Sequence, residues 1–208
     1  MALLLWSGGC DSTLLLYDLL NAKYSHDDKK CGRYVELKAS EKIRSIDHPQ
    51  QAGYVGNRNA RQRLLPILRK KFEFNHGEIS ISQDAIELSA NGGIIQPMMW
   101  ILQASQYLEA NEDLYVGYIK GDDIWHYRSS LFNAFQHVQE FTHRTGKLIL
   151  PLEWVSKAEV LYRLQDLKLL KHTWYCEFSD TAKCGKCPSC HTHDTALWRL
   201  QQHMEIYI

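Results

Sequence analysis

Residues 3–20 read LLLWSGGCDSTLLLYDLL, an apolar run, a polar elbow with two glycines, and a second apolar run. Ala2 to Trp6 carry no charge and run straight into Gly8 and Gly9, the pattern of a buried strand ending in a turn. Leu14 to Leu20 then read as a helix. An elbow of this kind is an anion site in the making. Backbone N–H groups of the turn and the positive end of the helix dipole converge there, and glycines admit an oxygen where a Cβ would block it. Ser7, Ser12 and Thr13 add hydroxyl donors. Asp11 would repel a bare phosphate, so the reading gives it a magnesium ion that bridges the phosphates. The same pattern also fits a plain strand-to-helix turn with Asp11 or Ser12 as the helix cap.

Working outward, apolar runs keep alternating with helical patterns. A second strand is expected at Tyr34 to Lys38, followed by a charged, irregular stretch and a helix near Ala60 to Lys71. GEISISQDAIEL predicts a third strand at Ile79 to Ser82. PMMWILQASQYLEA predicts a helix opened by Pro97, and DLYVGYI a fourth strand. A helix over Leu131 to Thr142, a strand at Leu148 to Leu152 and a helix at Lys157 to Leu167 complete the series. Strands that alternate with helices predict an α/β fold with a parallel sheet covered on both faces. The one boundary expected lies near Lys171, separating residues 1–170 from a C-terminal segment, 171–208.

Composition narrows the class. At 208 residues, 45% hydrophobic and 23% charged, the chain is long enough for one sizeable core. Lys plus Arg and Asp plus Glu number 24 each, so no global field draws the protein to nucleic acid or an anionic membrane. No apolar stretch approaches the roughly 20 residues of a membrane span. The N-terminus lacks the basic region and cleavage site of a signal peptide, and the expected compartment is the cytoplasm.

Four of the six cysteines crowd into TWYCEFSDTAKCGKCPSC. Cys176, Cys184, Cys187 and Cys190, the last three at C-x-x-C-x-x-C spacing, suit a tetrahedral zinc ion held at about 2.3 Å. An iron–sulfur cluster is the competing occupant. A closed four-sulfur site has no open position for water, so its expected role is to fold the tail. His191 and His193 read as surface residues beside it. Arg58, Arg61 and Arg63 read as an exposed helix face, and Cys10 as a space-filling residue.

The elbow is not a Walker A loop. Ser7, Gly8, Gly9, Asp11 and Ser12 instead resemble the S-G-G-x-D-S signature of the PP-loop ATP pyrophosphatase superfamily. That resemblance implies an adenine nucleotide alpha-hydrolase-like fold whose loop grips the β- and γ-phosphates and leaves the α-phosphate open to attack. With the tail, the likeness narrows. Thr173, Trp174 and Cys176, then Cys184, Gly185, Cys187 and Cys190, resemble the Thr-Trp-x-Cys segment and C-G-x-C-x-x-C knuckle of the 7-cyano-7-deazaguanine synthase (QueC-like) family. PLEWVSKAEV resembles that family's Lys-x-Glu segment and puts Lys157 and Glu159 at the mouth of the site, where Lys157 would meet a phosphate or developing negative charge, an exposed lysine in the first turn of a helix being the equal alternative. After the fourth strand, where the family places substrate contacts, VGYIKGDDIWHYRSSLFNAF offers Asp122 or Asp123 to the N–H groups of a guanine-like base. Trp125 or Tyr127 would stack on that base and Arg128 would meet a carboxylate. The plainer reading is a solvated loop with Tyr127 in the core.

Two family segments are absent where they were expected. ELKASEKIRSIDHPQ replaces an aromatic-Gly-Gln-Arg-His stretch, and GGIIQPMMW replaces Pro-Gly-Arg-Asn, with Gln96 as a stand-in. The resemblance implies a divergent member acting in queuosine biosynthesis, with ATP, Mg2+ and Zn2+ as cofactors. It would adenylate 7-carboxy-7-deazaguanine for attack by ammonia, giving the amide and then the nitrile, with Asp11, Ser12 and Lys157 catalytic. Two alternatives stay open: a ligase that joins the activated deazaguanine to another amine, such as a protein amine, and an inactive zinc-containing nucleic-acid-binding module. A homodimer is a further expected partner arrangement, with neither membrane nor nucleic-acid contact.

Overall fold

The computed structural model describes residues 2–21, 42–47, 54–80 and 96–206. Five parallel strands form one sheet: β1 (Ala2–Leu5), β2 (Lys42–Asp47), β3 (Asn75–Ser80), β4 (Asp113–Val116) and β5 (Leu148–Ile149), in the order β3-β2-β1-β4-β5. Among the described residues the helices are α1 (Cys10–Asn21), α2 (Tyr54–Arg69), α3 (Gln96–Ser105), α4 (Arg128–Phe141), α5 (Lys157–Asp166) and α6 (Pro188–Ile206), with 3-10 turns at Asp123–Tyr127 and Leu170–His172. β1 is central. It pairs with β4 from Ala2 opposite Asp113 to Leu5 opposite Val116, and with β2 on its other edge.

The unbroken apolar run of β1 follows from burial on both faces. Leu4 and Trp6 join Leu14, Leu15, Val160, Leu161 and Leu164 in one core, beneath α1 and α5. Leu3 and Leu5 join Ile101, Ala104, Leu131 and Phe135 in a second, beneath α3 and α4. Side chains alternate faces along a strand, so one four-residue segment anchors both layers. An ion pair ties α1 to α5 on the first face: Arg163 donates to both carboxylate oxygens of Asp18, at 2.7 and 2.9 Å. Burial pushes the Asp18 carboxyl up to about 6, against the pull of that guanidinium. The C-terminal helix α6 packs along α5 and sends Ala196 into the same core.

β2 is a strand the sequence reading did not foresee. It lies at Lys42–Asp47, inside the stretch read as irregular, because KIRSID has no apolar run to announce it and its identity comes from pairing with β1 and β3. The expected strand at Tyr34 to Lys38 and residues 92–95 of GGIIQPMMW lie outside the described residues. β3 begins at Asn75, four residues before the predicted start, and β5 is two residues long because Leu150 already belongs to the turn at Pro151. Among the described residues, no helix is long and apolar enough to cross a membrane.

Candidate functional site

Strand order reverses at β1. The chain leaves β1 toward β2 on one side, and β4 lies on the other. In a doubly covered parallel sheet this switch point, beyond the carboxyl ends of the strands, is where ligands sit. Two loops meet there, Ser7–Gly9 after β1 and Gly117–Asp122 after β4. Gly117 packs on the first turn of α1: a Cβ there would come within 2.9 Å of the Ser12 nitrogen, so only glycine lets the chain leaving β4 run against it.

Side chains within the elbow shape it. The Ser7 hydroxyl accepts from the Gly9 N–H at 3.1 Å and lies 3.0 Å from the Ser12 hydroxyl, which also accepts from the Ser7 N–H at 3.3 Å. Gly8 has φ of +88°, and a Cβ there would lie 2.7 Å from the Asn57 carbonyl oxygen. Thr13 lies off this cluster: it is fully buried, and its hydroxyl accepts from the Trp6 indole at 3.1 Å. Cys10 is buried at the helix start, 3.2 Å from the Thr173 hydroxyl, and burial raises its thiol above the ordinary range.

Asp11 and Lys157 form the charged centre. Ser156 caps α5 by accepting from the Glu159 N–H at 3.2 Å, a Ser-x-x-Glu start that sets Lys157 in the first turn. The Lys157 ammonium donates to Asp11 Oδ2 at 2.6 Å. Burial lowers the affinity of that amine for its proton, but the Asp11 charge and hydrogen bond outweigh it and raise the net value, so Lys157 stays charged. The other carboxylate oxygen of Asp11, Oδ1, is buried with no hydrogen-bond partner among the described residues. An orphaned carboxylate oxygen beside the elbow fits the requirement of a hard cation for oxygen ligands.

The loop after β4 turns much of its chemistry inward. Asp122 Oδ2 accepts from the Ile119 N–H at 2.9 Å. Trp125 donates its indole N–H to the Glu153 carbonyl at 2.7 Å, and the Arg128 guanidinium lies over the Trp125 ring, 4.2 Å from its centroid, and 3.6 Å from the Glu153 carboxylate. Tyr127 is 62% exposed, so the plainer reading that packs it in the core does not hold. The side chains of Asp123 and Gln96 lie outside the described set.

The Cys₄ cluster assembles as spaced. The sulfurs of Cys176, Cys184, Cys187 and Cys190 lie within 4.8 Å of one another. N–H groups of Lys186 and Cys187 point at Cys184 Sγ, both at 3.3 Å, and with Gly185 at φ of +68° they form a tight knuckle. These N–H donors pull the Cys184 thiol down to about 6, toward the thiolate a metal takes. The four sulfurs can hold a metal ion.

His193 corrects its surface assignment. It is 5% exposed and stacked on Tyr175, ring centroids 3.6 Å apart, and burial lowers its imidazole to about 4. Thr173, Trp174, Tyr175, Cys176 and His193 line a cavity of about 630 Å³ with Leu170 and Leu197. No residue of the elbow lines that cavity.

Arg61 is a further residue that the sequence reading placed wrongly. Arg58 and Arg63 are exposed, but Arg61 is 2% exposed and donates to the Ser7 carbonyl oxygen at 2.8 Å. The tail reaches the same elbow from the opposite end of the sequence. Trp174 donates its backbone N–H to the Gly8 carbonyl at 3.1 Å, and Asp180 accepts from the Gly56 N–H at 3.2 Å.

The family described as "Queuosine biosynthesis protein QueC" matches residues 98–201, half of the chain. This span runs from α3 to α6 and contains the Asp122–Arg128 turn, Lys157 and all four clustered cysteines, whereas the elbow at Ser7 to Thr13 precedes it. No curated protein matches the chain.

Proposed function

Because the chain belongs to the QueC family of queuosine biosynthesis proteins, we propose that it is an ATP-dependent carbon–nitrogen ligase that converts the carboxylate of 7-carboxy-7-deazaguanine to an amide and then to a nitrile. The observation that carries the reading is the meeting of the glycine elbow with the Asp11–Lys157 pair at the switch point of the sheet. The Gly8 N–H of the elbow and the N-terminus of α1 would hold the triphosphate. A magnesium ion, when bound at Asp11, would neutralise phosphate charge. Lys157 is fixed 2.6 Å from Asp11 and keeps its proton, so it supplies positive charge where pyrophosphate departs.

The chemistry follows in balanced steps. A substrate carboxylate oxygen bonds to the α-phosphorus as the bond to pyrophosphate breaks. Ammonia then bonds to the acyl carbon, loses a proton, and AMP leaves, giving the amide. With a second ATP, the amide oxygen takes the adenylyl group, pyrophosphate leaves, and loss of two protons and AMP forms the nitrile. Positioning and electrostatics account for most of such catalysis.

The Cys₄ cluster is proposed as a zinc site. Tetrahedral zinc at about 2.3 Å needs sulfurs roughly 3.8 Å apart, and Cys184 and Cys190 lie 3.9 Å apart. An iron–sulfur cluster spreads its thiolates over several metal atoms, which the tight grouping disfavours.

Mass spectrometry of 7-carboxy-7-deazaguanine, ATP, Mg2+ and ammonium with the protein tests the function. Consumption of the acid with AMP and pyrophosphate supports it. Formation of ADP, or AMP formation only with another carboxylate, would overturn the assigned reaction. Incorporation of a protein amine in place of ammonia would redirect it to the alternative acceptor.

A further inference from the structure

We propose that Arg61 is a positioning residue for nucleotide binding: its guanidinium, buried behind the elbow, fixes the orientation of the Ser7–Gly8 peptide and so aims the loop at phosphate. This rests on the reading of the elbow as the triphosphate site. Arg61 donates to the Ser7 carbonyl oxygen at 2.8 Å across 54 positions of sequence. In a trans peptide the C=O and the following N–H point in opposite directions. Holding the Ser7 oxygen toward α2 therefore turns the Gly8 N–H away from α2, and this N–H has no partner among the described residues. The stem of Arg61 completes the support. A Cβ on Gly8 would lie 3.0 Å from Arg61 Cγ and 3.3 Å from Ala60 Cβ, so the elbow rests directly on this turn of α2.

The next peptide is held in the same way by a different element. Trp174 donates its N–H to the Gly8 carbonyl, and the Gly9 N–H on the far side of that peptide is taken by the Ser7 hydroxyl. Successive carbonyls are thus tied back, one by a backbone N–H and one by a charged fork. A hydrogen bond from a charged donor is about twice as strong as a neutral one. Arg61 is therefore the stiffer of the two ties. It does not touch the reacting atoms; its effect passes through the Gly8 N–H.

The test is titration of an α,β-methylene ATP analogue with Mg2+ into wild type, Arg61→Met, Arg61→Lys and the exposed control Arg63→Met. Wild type and the control should bind alike. Arg61→Met keeps the stem without a donor and should bind about 10- to 100-fold more weakly, and Arg61→Lys should fall between. In turnover, the KM for ATP should rise more than kcat falls. Arg61→Met that melts cooperatively and binds within twofold of wild type overturns the assignment. If Arg61→Met does not melt cooperatively, Arg61→Lys decides: weakening of at least threefold supports it, and wild-type affinity overturns it. Failure of wild type itself to bind the analogue overturns the phosphate-site reading and the role of Arg61 with it.

Discussion

Replacing Asp11 by Asn and Lys157 by Met, singly and together, measures how far the charged centre behaves as one unit. The two side chains are 23% and 16% exposed, and their charged atoms lie 2.6 Å apart. At an effective dielectric of about 20, unit charges at that separation attract by roughly 6 kcal/mol. Desolvation of two largely buried ions cancels much of this, and a coupling of about 2–3 kcal/mol is expected. An exposed pair would give about 0.2–1 kcal/mol. Asp11→Asn should cost about 2 kcal/mol, because it leaves the Lys157 ammonium without its counter-charge, and adding Lys157→Met should recover much of that loss. Urea unfolding of the four proteins at pH 7 yields the cycle, and AMP formation yields its catalytic counterpart. Every variant should lose turnover, including the double variant whose fold is restored. A coupling below about 0.5 kcal/mol would refute the buried-pair argument. Near-wild-type AMP formation by Asp11→Asn would remove Asp11 from the mechanism.

Cys187→Ser should release the bound metal and loosen the tail, since structural metal binding is coupled to folding; metal analysis that finds iron, or one zinc retained, contradicts the closed four-sulfur site. Gly8→Ala should lose about 2 kcal/mol or more by urea unfolding, because it combines φ of +88° with a Cβ 2.7 Å from the Asn57 oxygen. His193 makes folding acid-sensitive: below pH 6.5 the unfolded chain takes up a proton that the buried imidazole, lowered to about 4, refuses. Its contribution is full above pH 6.5 and falls by about 2 kcal/mol by pH 5, so the stability difference between wild type and His193→Gln should change by that amount between pH 7 and pH 5. Asp18 acts with the opposite sign: its carboxyl is raised to about 6, so the difference between wild type and Asp18→Asn should shift in favour of wild type as pH falls from 6 to 4.

What was legible in the sequence was local. The elbow could be read because its strand, glycines and helix are contiguous, and the Cys₄ cluster because turns fix its spacing over fifteen residues. β2 could not, since a strand carrying Lys42, Arg44 and Asp47 is identified only by its neighbours. Arg61 shows the same limit from the side of function. On a helical wheel it is one of several arginines, and the partner that buries it, the Ser7 carbonyl, lies 54 positions away. His193 sits beside a metal cluster in sequence, but its partner is the ring of Tyr175.

These long-range contacts join the segment after Lys171 to the elbow. The tail sends Trp174 N–H to Gly8 and Thr173 to Cys10, and Asp180 takes the N–H of Gly56 at the start of α2. Gly56 in turn must be glycine, because a Cβ there would lie 2.3 Å from the Trp174 ring nitrogen. Trp174 is itself tied to the knuckle through its indole bond to the Cys176 carbonyl at 2.9 Å. Knuckle, tail, α2 and elbow therefore form one continuous chain of contacts, and order imposed on the four thiols reaches the peptides of the proposed phosphate site. A four-sulfur centre with no open position for water would in this way bear on the proposed nucleotide site while taking no part in the bond-making steps.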